Sequence, residues 1–163
     1  MKLLILGAGE YGKLVKELAQ TKYSTVDFLD DNSDVAIGKL DDYKELFGRY
    51  RDAVVAVGNS EIRLAWLDKL EQAGYRLPTV VSDRAFVSPS AELGSGCIVE
   101  PMAVIHTGAA IGRGSIVSSG AVINHNVAVE PGCHIDCNAV VGADVTVPAG
   151  THLQYGQILK KDD

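Results

Sequence analysis

Apolar and polar positions follow one rhythm up to about residue 81 and another beyond it. In the first stretch, short apolar runs alternate with segments of helical spacing. Lys2 to Leu6 predicts a strand, and a glycine-rich turn follows. "EYGKLVKELAQ" then carries Leu14, Val15, Leu18 and Ala19 at helical spacing. "STVDFLDD" predicts a second strand ending in acids, "DDYKELFGRY" a short helix and "DAVVAVG" a buried strand. "SEIRLAWLDKLEQAG" is the strongest helix, with Ile62, Ala65, Trp66, Leu70 and Ala73 along one face and Gly74 as its stop. "LPTVV" predicts a final strand. Strands alternating with helices imply an α/β unit with a parallel sheet and crossover connections.

From about residue 82 the helical spacing is replaced by a repeat of six. Aliphatic residues stand at Val87, Leu93, Val99, Ile105, Ile111, Val117, Ile123, Val129, Ile135, Val141, Val147, Leu153 and Leu159, without a break in register. Two places before them sit mostly small residues, among them Ala85, Cys97, Ala103, Ser115 and Ala139. This pattern predicts a parallel β-helix of triangular section. Each six-residue unit makes one flat side, about three units close a coil, and about four coils result. The aliphatic residue points inward, and the small residue fits a crowded corner. "GSG", "GRG", "EPG" and "PAG" fall at the turns, where positive φ is needed. Two domains are therefore expected, at residues 1–81 and 82–163.

Composition narrows the function. The formal net charge is −6, and no basic run breaks it, which argues against a nucleic-acid-binding surface. "MKLLILGAGEYG" offers an apolar stretch too short for a signal core or a bilayer span, so the expectation is a cytoplasmic protein with no membrane segment. The three cysteines lack C-x-x-C pairing, which suits a reducing compartment and gives no zinc signal.

"GAGEYG", Gly7 to Gly12, has the form G-x-G-x-x-G directly after a strand and at the start of a helix. Glycines there let backbone amides approach a phosphate, and the helix N-terminus adds partial positive charge. Asp30 and Asp31 end the second strand about twenty residues on, where a carboxylate can accept from ribose hydroxyls. About 80 residues precede the repeat, enough for one mononucleotide-binding half, so a nucleotide-sugar fits better than a dinucleotide.

Together "GAGEYG", "FLDDN", "AVGNSEIR" and the hexapeptide repeat resemble the sialic-acid O-acetyltransferase and bacterial amino-sugar N-acetyltransferase family. The resemblance implies a Rossmann-like N-terminal domain followed by a left-handed β-helix. It also implies transfer of acetyl from acetyl-CoA to the amino group of a nucleotide-linked sugar. The nucleotide contacts would be Gly7, Gly9, Gly12, Asp30, Asp31, Gly58 and Asn59. In "INHNVAVEPGCHIDCNAVVG" the resemblance makes His125 the general base, its neutral imidazole taking a proton from the attacking acceptor. His134, Gly142 and Ala143 would meet acetyl-CoA. It further implies a homotrimer with active sites between subunits, for which the outward Val104, Ile116, Val122 and Val140 offer a contact surface.

Two features depart from the family pattern. Asn126 follows His125 where relatives carry an acid, so the ring loses a counter-charge while keeping an oxygen acceptor. The chain also stops at "LKKDD" where relatives add coils, with the polar ending resembling a solenoid cap. Sugar O-acetylation and a non-catalytic nucleotide-sugar scaffold stand as alternatives. A γ-type carbonic anhydrase needs two histidines five apart, a spacing absent from His106, His125, His134 and His152.

Overall fold

A computed structural model describes residues 1–161; Asp162 and Asp163, half of the expected "KKDD" cap, lie outside the described residues. The chain divides into two compact units, Met1–Val80 and Val81 onward.

The first unit is a three-stranded parallel sheet with helices. Strands β1 (Lys2–Leu6), β2 (Thr25–Leu29) and β3 (Asp52–Val55) lie in the order β2-β1-β3. Leu3, Leu4, Ile5 and Leu6 of the central strand are all fully buried. That is why β1 reads as an unbroken apolar run: both faces of a parallel sheet are covered. Helices α1 (Glu10–Ala19), α2 (Tyr43–Leu46) and α3 (Ser60–Gln72) complete the unit.

Two expectations need correction here. The inward face of α3 is Arg63, Leu67 and Leu70, whereas Ile62 and Ala65 are exposed. A buried arginine displaced the apolar face by one position, which apolar spacing alone cannot register. "LPTVV" adds no fourth strand to this sheet: Val80–Val81 instead begins the solenoid, beside Ile98–Val99.

The second unit is a parallel β-helix with thirteen consecutive repeats of the six-residue rule. Its first face stacks Val80–Val81, Ile98–Val99, Ile116–Val117, His134–Ile135 and His152–Leu153. The second stacks Phe86–Val87, Val104–Ile105, Val122–Ile123, Val140–Val141 and Ile158–Leu159. The third stacks Glu92–Leu93, Ala110–Ile111, Ala128–Val129 and Thr146–Val147. In every strand from Phe86–Val87 onward the second residue is the aliphatic one foreseen as inward, and the core cluster is built from these together with the small corner residues. Full burial of such a side chain is worth about 1.5–3 kcal/mol relative to exposure.

The corners repeat as strictly as the strands. From Gly96 to Gly156 every sixth residue has positive φ, and all are Gly, Asn or Asp except Met102 at φ 64°. Asn126 (φ 56°) belongs to this row. Asparagine tolerates the left-handed region better than most side-chain-bearing residues, so its place after His125 has a backbone reason.

Candidate active site

The parallel register fixes where the loops of the first unit emerge. Leu6 is level with Leu29 and with Val55, so the residues that follow each strand leave at one edge of the sheet. Gly7, Gly9, Gly12, Asp30, Asp31, Gly58 and Asn59 gather there. The gap between β1 and β3 is where strand order reverses, the usual ligand position in such sheets.

Individual roles at this edge differ. Gly7 has φ +104°, and a Cβ there would meet the Ala56 carbonyl oxygen at 2.7 Å. A Cβ on Gly12 would lie 2.1 Å from the Gly7 carbonyl oxygen, so α1 can pack against the loop only with glycine. Gly9 and Gly58 have nothing within 4 Å of a notional Cβ. Packing therefore does not demand glycine at either, and both leave open space for an approaching ligand.

The acids turn inward to hold the loops. Asp30 accepts from Ala8 N–H and from Asn32 N–H, each at 2.8 Å. The Ala8 and then the Asn32 hydrogen bond hold its carboxyl below the usual range, against burial, with Lys39 adding to the effect. One glycine-loop amide is thus already satisfied by Asp30, which braces the loop. Asp31 accepts from Leu40 N–H at 3.0 Å, and Asn59 caps α3 by accepting from Ile62 N–H at 2.9 Å.

Arg63, fully buried, escaped the sequence reading. Its Nη1 donates to the carbonyls of Val57 and Gly58 at 2.8 and 2.9 Å, securing the second loop from below. A shallow dent of about 420 Å³ elsewhere in this unit, between α2 and α3, contains none of the foreseen substrate residues.

In the β-helix, His125 stands exposed on the corner between the second and third faces. Asn124 Oδ1 accepts the His125 backbone N–H at 2.8 Å and lies 2.8 Å from His125 Nδ1. The same oxygen must be an acceptor in both contacts, so Nδ1 carries the proton and Nε2 keeps the lone pair. Asn126 does not replace the missing acid: its Nδ2 donates to Asp144 Oδ1 at 3.1 Å, one coil on. The orienting residue is therefore the one before His125. Its signal was a side-chain acceptor on the same turn.

Gly142 and Ala143 occupy this corner one coil later, eighteen residues after Asn124 and His125. His134 does not join them. It projects outward from the first face, because Ile135 beside it points into the core. In a triangular coil that face lies opposite the corner bearing His125, so one chain cannot bring the two histidines together.

His134 has its own surroundings. Its Nε2 is 3.0 Å from Ser118 Oγ, and its ring stacks on His152, with centroids 4.5 Å apart and planes 3° from parallel. Asp136 and His152 complete a group of three with ligand atoms within 4.8 Å of one another.

Residues 2–70 match the family model of the PglD N-terminal domain. The acetyltransferase domain of PglB from Neisseria gonorrhoeae superposes with a TM-score of 0.84 at 29% identity, covering 98% of this chain and 85% of that one. The same domain in complex with acetyl coenzyme A gives 0.55 at 29% identity, covering 98% and 84%. A mutant perosamine N-acetyltransferase from Caulobacter crescentus, in complex with CoA and GDP-perosamine, gives 0.67 at 20% identity, covering 97% and 90%, a likeness of fold. By its N-terminal domain and its fold the chain is thus similar to the hexapeptide-repeat acetyltransferases, a PglD-type N-terminal domain preceding a parallel β-helix.

Proposed function

We propose that this protein transfers acetyl from acetyl-CoA, its co-substrate, to the amino group of a nucleotide-linked sugar. The observation that carries this reading is the pairing of Asn124 with His125 Nδ1, which leaves Nε2 as a base on an exposed corner. Nε2 would take a proton from the sugar amine as its nitrogen attacks the thioester carbonyl. The C–N bond forms, the C–S bond breaks, and the CoA thiolate leaves with a proton returned from the imidazolium. The loop edge of the first unit, with Gly9 and Gly58 open, is the proposed nucleotide-sugar site.

The active site is proposed to lie between subunits of a homotrimer. Every outward residue of the second face is apolar: Phe86, Val104, Val122, Val140 and Ile158, the first and last 57% and 69% exposed. Ile116, foreseen with them, is only 1% exposed within the chain and offers no contact surface. Placed around a three-fold axis, the second faces hide this stripe. The corner bearing His125 then meets the side of the neighbour that carries His134. Among the described residues no helix is long and apolar enough to cross a membrane. Use of acetyl-CoA supports a cytoplasmic location.

The test is a thiol-release assay with acetyl-CoA and UDP- and GDP-linked amino sugars. Turnover with at least one acceptor is expected, together with its loss in His125→Ala while both ligands still bind. Ligand binding without turnover by the unmodified protein would favour a non-catalytic scaffold.

A further inference from the structure

We infer that Asp136 and His152 are positioning residues that set the orientation and charge of His134 toward the acyl donor. The inference rests on the reading that His134 meets acetyl-CoA.

The parallel register puts His152 directly over His134, one coil on. Asp136, two residues past His134 on the next corner, has a side chain only 5% exposed. Its Oδ2 is 3.0 Å from His152 Nε2, and its Oδ1 is 3.9 Å from His134 Nε2 while accepting Cys137 N–H at 2.8 Å. Burying a carboxylate is costly unless it is hydrogen-bonded and faces positive charge. Here two imidazoles supply those partners. Burial alone would raise the Asp136 pKa; the His152 and Cys137 hydrogen bonds, with the charges of His134 and His152, outweigh it and keep it below the usual range.

The consequences for His134 are geometric and electrostatic. Stacking against His152 restricts rotation of the His134 ring, and Ser118 Oγ fixes its Nε2 edge. An ionised carboxylate beneath both rings requires a proton on His152 Nε2 and favours the charged form of His134. A His134 ring so charged suits an electron-rich partner such as the carbonyl oxygen of a thioester. Other titratable groups on this corner are Cys137, Glu100, tied to Ser119 N–H and Oγ, Tyr155 one coil past Cys137, and Asp83 three coils before it.

The test compares Asp136→Asn, His152→Phe, His134→Ala and unmodified protein. His152→Phe keeps a stacked ring but cannot donate to Asp136. For Asp136→Asn the KM for acetyl-CoA should rise roughly tenfold, with the KM for the sugar unchanged. The NMR titration midpoint of the His134 ring should fall in the same variant. His152→Phe should reproduce part of the KM effect, and Asp136→Glu should restore part of the affinity. If His134→Ala raises the KM for acetyl-CoA while Asp136→Asn changes neither KM nor the His134 titration, the inference is wrong and the functional reading stands. If His134→Ala leaves acetyl-CoA binding intact, the reading of His134 fails, and the positioning role falls with it.

Discussion

Asn124 Oδ1 lies 2.8 Å from His125 Nδ1 and accepts the His125 backbone N–H at the same distance, so one amide oxygen fixes both the turn and the tautomer of the ring. Removing it frees the ring to rotate and to hold its proton on either nitrogen. Asn124→Ala is expected to lower kcat about 10-fold or more, by analogy with the tautomer role of a triad acid. Asn124→Asp supplies a counter-charge and should move the acid limb of the kcat/KM profile, set by loss of the proton from His125, to higher pH. Steady-state kinetics across pH 5 to 9 checks both, and an Asn124→Ala variant with normal kcat would remove Asn124 from the mechanism.

Asn126 provides the contrast. Its side chain reaches Asp144 on the next coil, and its backbone sits at φ 56°. Asn126→Gly keeps the backbone allowed and should leave kcat within about threefold of the unmodified enzyme, since only a corner hydrogen bond of about 1 kcal/mol is lost. A loss of turnover as deep as that expected of Asn124→Ala would reverse the assignment.

Glycines 9 and 12 should separate binding from folding. A Cβ on Gly12 meets the Gly7 carbonyl oxygen at 2.1 Å, so Gly12→Ala must push α1 off the loop at a cost of about 1–3 kcal/mol or more. Gly9→Ala meets no neighbour and should change stability by about 1 kcal/mol at most. It should nonetheless weaken binding of the nucleotide-sugar. Urea unfolding and calorimetry on both variants distinguish the two effects.

Asp30 gives the first loop a pH dependence. Its folded pKa is depressed, chiefly by Ala8 N–H and then by Asn32 N–H. Its contribution is therefore complete above the ordinary value of 3.8 and is lost as pH falls through the lower folded value. Asp30→Asn should flatten the acid limb of the stability curve between 3.8 and the lower folded value. An unchanged acid limb, measured by urea midpoints from pH 2 to 6, would contradict the brace.

Much of this was legible in sequence because the β-helix repeats one requirement thirteen times. Val87 to Leu159 all face the core, and their register allowed no second interpretation. The first unit was harder. Strand, loop and helix order came through, but the buried face of α3 centres on Arg63, and polar residues carry no weight in an apolar period. Val80–Val81 was assigned to the wrong sheet because a short apolar strand carries no mark of its partner. At the site, His125 followed from the family resemblance alone. Asn124 carries no mark in the family pattern, which puts the partner after the histidine, and the two sides of a corner differ only in backbone direction. The separation of His134 from His125 within one chain follows from the three-sided section, once each is given a face or a corner.

That separation makes subunit complementation the most direct measurement. His125→Ala and His134→Ala proteins are assayed separately, then co-refolded in equal amounts and assayed together. Each alone is expected to lose most activity. In a cyclic trimer with sites shared between neighbours, random mixing rebuilds about one quarter of the sites, and activity should return to that fraction of the unmodified enzyme. A mixture no more active than its two components would contradict an active site built from His125 of one chain and His134 of the next.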